Sequence, residues 1–247
     1  MRKYLIAALA AVLSVAMAAV AIGQGPASGT LTLTPSNAGT KKKPKAGSIK
    51  LSVKNETKGT TASRIDVFLP KFVRVSGKGL ATCTSAKAAA GTCPSRSKAG
   101  GGEANAVVGP TSPNPAPLHF KVTAYNAGAT SMLFHLQQKN DQGQVIPNGV
   151  SKVLTGKISR ASGANYYSKL RIAIPDDLQQ PAPGVYSALE DLTTSLKLKK
   201  GKNSLIKVIG CPSNKQHVLG VLLTYAPNPG PPPRPSGSAE ATSKCSK

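Results

Sequence analysis

Tryptophan is absent from the chain, and six tyrosines and four phenylalanines are its whole aromatic complement. Stacking platforms of the kind that hold single-stranded nucleic acid are therefore scarce. Arginine is nearly as sparse: seven of the 32 basic residues are arginine, and the others are lysine. Lysine is a hydrated point charge without the planar fork that grips phosphates and base edges, which argues against sequence-specific nucleic-acid recognition. Acids are few as well, nine in 247 residues: Glu56, Asp66, Glu103, Asp141, Asp176, Asp177, Glu190, Asp191 and Glu240. Neither Asp176-Asp177 nor Glu190-Asp191 supplies a glycosidase pair alone, because neighbours on one strand point to opposite faces. Turn formation and capping suit them better, and a catalytic pair would need one residue from each to meet in space.

Nucleophile and metal signatures are missing too. No Gly-x-Ser-x-Gly elbow occurs, and the Ser-x-x-Lys spacings at Ser95–Lys98 and Ser204–Lys207 are expected by chance in a chain so rich in both residues. No cysteine pair has Cys-x-x-Cys spacing, and His119, His135 and His217 stand in separate segments. His119 and His135 fall on neighbouring strand candidates, where a cross-hairpin pair would still lack a third ligand. Gly100-Gly101-Gly102 matches a phosphate-cradling loop in composition only. The sequence thus predicts no catalytic residue, no metal ligand and no cofactor.

What is present points outward from the cell. Arg2 and Lys3 precede an uncharged run of alanine and aliphatics, which ends in the small-x-small exit Ala19-Val20-Ala21. These are the parts of a secretory signal peptide, placed at residues 1–23. The rival is a retained anchor, since the run approaches the lower length limit for spanning a bilayer. The formal net charge of +23 draws such a chain to polyanions. Four cysteines, Cys83, Cys93, Cys211 and Cys245, fit an oxidising compartment. Three pairings are open. The preferred one joins neighbours, Cys83–Cys93 and Cys211–Cys245, with loop-closure contributions of about 3 and about 4 kcal/mol.

Period-two alternation recurs along residues 24–247, as in Ile49–Lys54, Ile65–Leu69, Phe120–Ala124, Leu170–Ile174 and Leu196–Lys199. Alternation of this kind marks strands with one buried and one wet face. Val218–Thr224 is apolar on both faces and suits an interior strand. Gly and Pro clusters separate the runs, which predicts an all-β, antiparallel two-sheet sandwich, Ig-like or jelly-roll-like, with long loops. One domain is expected; a two-lobed arrangement split near 137–150 is the alternative. Short helical turns are expected at Thr84–Ala90 and within Pro181–Leu192. Lys41–Lys45 reads as a solvated hairpin tip, Pro227–Ser238 as a stiff loop, and Ala239–Cys245 as a final strand tied to Cys211. Asn55-Glu56-Thr57 matches a glycosylation acceptor.

Several local motifs occur in a distinctive order: Leu69-Pro70-Lys71-Phe72-Val73, then Cys83, then Cys93-Pro94-Ser95-x-Ser97-Lys98-x-Gly100-Gly101-Gly102-x-Ala104. Gln179-Gln180-Pro181-Ala182-Pro183-Gly184-Val185-Tyr186, Gly210-Cys211-Pro212 and a late cysteine follow. In this order the chain resembles a group of exported proteins of unassigned function from high-GC Gram-positive bacteria. That resemblance implies secretion, a β fold and paired cysteines, and it transfers no catalytic residue. The expectation is a non-enzymatic binding or structural role at the cell envelope. Its partners would be anionic envelope polymers or other polyanions, met by Lys41, Lys42, Lys43 and Lys45 at one tip and by Lys197, Lys199, Lys200 and Lys202 at another. The alternatives are a secreted hydrolase of wall or polysaccharide material, and a carrier of a small apolar ligand between the sheets.

Overall fold

A computed structural model describes residues 27–227 and 236–246; the expected signal segment and most of the proline-rich loop lie outside the described residues. Early strands are β1 (Ala27–Thr34), β2 (Lys45–Asn55), β3 (Ala62–Pro70), β4 (Val73–Val75) and β5 (Lys98–Val108). The middle of the chain gives β6 (Ala116–Gly128), β7 (Ser131–Lys139), β8 (Ser151–Arg160), β9 (Tyr166–Ala173) and β10 (Ser187–Leu196). Last come β11 (Lys199–Lys200), β12 (Asn203–Ser204), β13 (Ile206–Val208), β14 (Gln216–Tyr225) and β15 (Gly237–Lys244). Two short helices, α1 (Ser85–Ala89) and α2 (Asp176–Gln179), interrupt them.

The layers of the sandwich are one continuous sheet rolled upon itself. Eleven strands follow in the order β15-β14-β3-β9-β8-β7-β6-β5-β10-β2-β1, every neighbour antiparallel. An odd number of strands cannot close into a ring on antiparallel pairs alone, so β1 and β15 must run parallel where they meet. They lie beside one another, and no backbone ladder joins the two strands themselves among the described residues. Past the strand ends Ala38 N–H donates to Ser246 O (2.8 Å) and Ser246 N–H to Ser36 O (2.9 Å), forming a parallel bridge at Asn37 and Ser246. Leu33 N–H donates to Ser243 Oγ at 3.2 Å. β13 extends the sheet beyond β10 by pairing with Lys45–Gly47 of β2, and β4 pairs with β13.

Alternation in the sequence becomes inside and outside of this shell. Ile49, Leu51 and Val53 are buried while Lys50 and Lys54 between and beside them are exposed. Ile65, Val67 and Leu69 of β3, Phe120 and Val122 of β6, and Leu219, Val221 and Leu223 of β14 fill the same interior. Each such side chain contributes about 1.5–3 kcal/mol by leaving water. Gly100 and Gly102 serve close packing of β5 on β10, since a Cβ would stand 1.9 Å from Ser195 O and 1.8 Å from Thr193 O.

Both expected disulfides are present, Cys83–Cys93 and Cys211–Cys245. The turn expected at Thr84–Ala90 is α1, where the Thr84 side chain accepts from Lys87 N–H at the helix start. The helical turn expected within Pro181–Leu192 is displaced. Pro181 and Pro183 lack donors, Gly184 makes a left-handed turn (φ +74°), and Ser187 already begins β10. The helix forms earlier, after Pro175 (φ −61°), with Asp176 and Asp177 in its first turn, where acids suit the helix dipole. Leu196–Lys199 does not continue as one strand either. β10 ends at Leu196, and the chain leaves the sheet to form the β11–β12 hairpin around Gly201 (φ +56°).

Candidate functional site: a cationic end and an apolar interior

Strand directions gather the basic loops at one end of the shell. β2 begins there and β10 ends there, as the pairing of Leu196 with Ile49 shows. The β1–β2 loop carrying Lys41, Lys42, Lys43 and Lys45 therefore lies at the same end as the β11–β12 hairpin carrying Lys197, Lys199, Lys200 and Lys202. β13 runs between them, with Val208 opposite Lys45. All eight lysines are exposed, and none has an ion-pair partner among the described residues. The lysine tip is shaped by a turn in which Thr40 N–H donates to Lys43 O and Lys43 N–H to Thr40 Oγ1, both at 3.0 Å. Other segments at this end, 71–80, 84–98, 157–160 and 205–215, add further lysines and arginines, and none of the nine acids falls in any of them.

A groove of about 370 Å³ opens at this end between β4 and the β12–β13 segment. Arg74, Lys78 and Lys207 line it together with Ser76 and Asn203. The Arg74 guanidinium lies over the Tyr167 ring, 3.2 Å from its centroid, with Arg160 at 4.6 Å from the same ring. Burial holds the Arg74 guanidinium below the ordinary arginine value. Sequence reading missed this groove because its cations come from strands distant in the chain.

The acids stand elsewhere, and most have partners. On the shell wall Asp66, its side chain 2% exposed, is held by Arg64 (3.0 Å) and Arg171 (2.8 Å). The same contact raises the Arg171 guanidinium. Glu103 pairs with Lys139 at 2.6 Å. Glu240 accepts from Tyr166, whose phenol is pushed up by burial and by that carboxylate. At the end opposite the lysines, Glu56 accepts from Ser28 (2.6 Å), which lowers its carboxyl first of all. Asp177 pairs with Lys152, and Asp191 accepts from Asn105 Nδ2 (3.0 Å). The Asp176-Asp177 and Glu190-Asp191 pairs thus sit on α2 and β10 with separate partners.

The rolled sheet encloses a second site, a cavity of about 130 Å³ between the layers. Leu51, Val67, Phe120, Phe134, Leu170 and Leu192 are among its walls, and the whole lining is apolar apart from Ser187 and Thr194. Native cores rarely leave voids larger than a water, whereas a dry cavity of about 150 Å³ with walls of this kind accommodates a benzene ring. Ile49, Leu69, Met132 and Leu196 close it toward the lysines. Toward the acidic end its walls are only half-buried, at Ala106, Leu118, Leu136, Ile174 and Leu178. There α2 lies across it as a strap. Gln179 Nε2 donates to Ile174 O (2.6 Å), Ser187 Oγ to Leu178 O, and Lys152 bonds Asp177.

The histidines do not form the cross-hairpin pair considered from the sequence. His119 opposes Lys139 and His135 opposes Thr123. His119 Nδ1 meets Asn105 Oδ1 at 2.8 Å, and His135 Nε2 meets Ser151 Oγ at 2.9 Å. His135 is buried, and burial lowers its pKa. Burial lowers that of His217 as well. Asn55, the glycosylation candidate, is a buried hub: its Nδ2 donates to Leu189 O (2.9 Å) and its Oδ1 accepts from Tyr225 Oη (2.9 Å). Ser95 belongs to a 3-10 turn ahead of β5, and Ser204 Oγ donates to Ile206 O.

Among the described residues no helix is long and apolar enough to cross a membrane. No protein family matches the chain, and comparison with curated proteins and with solved structures finds no similar protein.

Proposed function

We propose that this chain is an exported, non-enzymatic binding protein retained at the cell envelope by its cationic end. The observation that carries the reading is the one-ended charge: both lysine clusters and the Arg74–Lys207 groove share an end whose connecting segments carry none of the nine acids. A single exposed lysine contact is weak and screened by salt. Clustering lets many contacts act together and orients the shell, with lysines toward the polyanion and α2 away from it. Lysine in place of arginine suits a flexible, repeating anionic polymer better than a fixed phosphate geometry. Two disulfides accord with an oxidising exterior.

The test is co-sedimentation of the mature protein with isolated envelopes across a salt series, with soluble polyanion as competitor. Retention that fades as salt rises and yields to any polyanion is the expected result. Retention that survives high salt would point to a shaped site for one component. Absence of binding at low salt would overturn the reading and bring a secreted hydrolase forward.

A second reading, carriage of a small apolar ligand, is favoured by the enclosed cavity and the strap across its half-buried side. The cavity suits a ring or a short alkyl segment. Native mass spectrometry of protein purified without detergent tests it: a species heavier than the sequence mass that reverts on denaturation supports it, and the bare mass with no uptake of an apolar fluorophore refutes it.

A further inference from the structure

Beside the seam between β1 and β15 three side chains converge in a way the disulfide alone does not explain. His217, the second residue of β14, has no exposed surface, and neither ring nitrogen has a hydrogen-bond partner among the described residues. Burying a polar group unpaired costs about 1–3 kcal/mol, so an imidazole kept there calls for a ligand. The sulfurs of Cys211 and Cys245 are its neighbours, and the three potential ligand atoms all lie within 4.8 Å of one another. We infer that Cys211, His217 and Cys245 form a Cys2His metal site for Zn2+, masked while the cysteines are joined and unmasked when their disulfide is reduced.

The chemistry balances with a dithiol as reductant. The dithiol closes to its own disulfide, and its two electrons and two protons pass to the Cys211 and Cys245 sulfurs as the S–S bond breaks. Zn2+ then displaces the two thiol protons to solvent, His217 supplies a nitrogen lone pair, and water takes the fourth tetrahedral position. Two thiolates and an imidazole are a donor set that suits zinc and disfavours magnesium or calcium. The sulfurs must separate to about 3.8 Å, the span of two Zn–S bonds at the tetrahedral angle, a distance shorter than the 5.8 Å between their Cα atoms.

Backbone bonds keep the ligands together once the covalent bridge is open. Cys245 N–H donates to Lys215 O (2.8 Å), and the Ser36–Ala38 bridge to Ser246 holds the residue that follows. Gln216 opposite Lys244 continues the ladder to within one residue of both His217 and Cys245. The other disulfide, Cys83–Cys93, belongs to no such trio among the described residues. The inference does not depend on envelope retention or on ligand carriage.

The experiment uses the full mature chain carrying Cys83→Ser and Cys93→Ser, so that one disulfide remains, with the parent chain run in parallel. Each is reduced with a phosphine, freed of it and titrated with Co2+, reading thiolate-to-cobalt charge-transfer absorption and stoichiometry, then with Zn2+ as competitor. The expected result is one equivalent of cobalt on the reduced protein, none on the oxidised protein, and loss of the band when zinc is added. His217→Gln keeps most of the side-chain volume and is expected to abolish stoichiometric binding while circular dichroism stays that of the parent; His217→Ala provides a second variant. Cobalt bound equally before and after reduction, equal binding by folded His217 variants, or none by the reduced folded protein would each overturn the site.

Discussion

Neutralising the lysine tip separates a localised electrostatic site from a merely basic protein. In the triple variant Lys41→Gln, Lys42→Gln, Lys43→Gln, three exposed cations without ion-pair partners among the described residues are removed. The turn beneath them is held by Thr40 and backbone bonds, so the melting temperature should not fall. Binding to a single-stranded DNA homopolymer, used purely as a polyanion probe, reports the contacts. Each neutralised phosphate contributes about 0.7 to the slope of log affinity against log salt on single strands. Losing three contacts should therefore reduce the slope by about 2, a difference of roughly sixteenfold in affinity loss between about 50 and about 200 mM salt. The control removes the same charge elsewhere, with Lys54→Gln, Lys58→Gln and Lys121→Gln, from exposed positions away from the cationic end. Its slope should match that of the parent. Equal slope changes in both triples would refute a site at the lysine end and leave only net charge.

Ala104, buried on the cavity wall opposite Phe120 and Leu192, gives a test of the interior. Ala104→Leu adds three carbons at about 0.8 kcal/mol each; it should stabilise the fold by up to about 2 kcal/mol in urea unfolding and block an apolar fluorophore, whereas lost stability with uptake intact would show the space lies elsewhere. The pH dependence follows from His135 and His217, whose folded pKa values burial lowers. Below about 6.5 the unfolded chain binds protons that the folded one refuses, so stability should be full above about pH 7. It should decline as pH falls through 6.5, by at most about 1.4 kcal/mol per pH unit for each histidine. Urea midpoints that stay level from about pH 7.5 to 5.5 would contradict this.

The strands were legible wherever alternation was clean. Ile49–Lys54 and Ile65–Leu69 announce their faces because one side is apolar and the other wet, and the same holds for the tie between Cys245 and Cys211. Helix placement was less legible, because Pro181, Pro183 and Gly184 mark a turn without saying on which side of it a helix forms. The site lay deeper still. Lys41–Lys45 and Lys197–Lys202 are visible as charge runs, but only the antiparallel course of β2 and β10 places them at one end. His217 gave no sign, since five residues lie between it and Cys211 and its burial beside the bridge depends on β15 lying against β14. A cavity is invisible by nature, being a property of what many strands leave between them.

The parallel meeting of β1 with β15 sets the order in which the molecule can be finished. β1 is the first described strand and β15 the last, so the two rims that must touch are made at opposite times. Until β15 arrives, β1 and β14 each present a bare strand edge, the kind of surface that recruits other chains. Contacts this far apart in sequence are also slow to form. Completion is therefore expected to come late, and a chain cut before Gly237 should be left as an open trough with two bare edges, vulnerable to aggregation and proteolysis, rather than as a smaller working version of the whole.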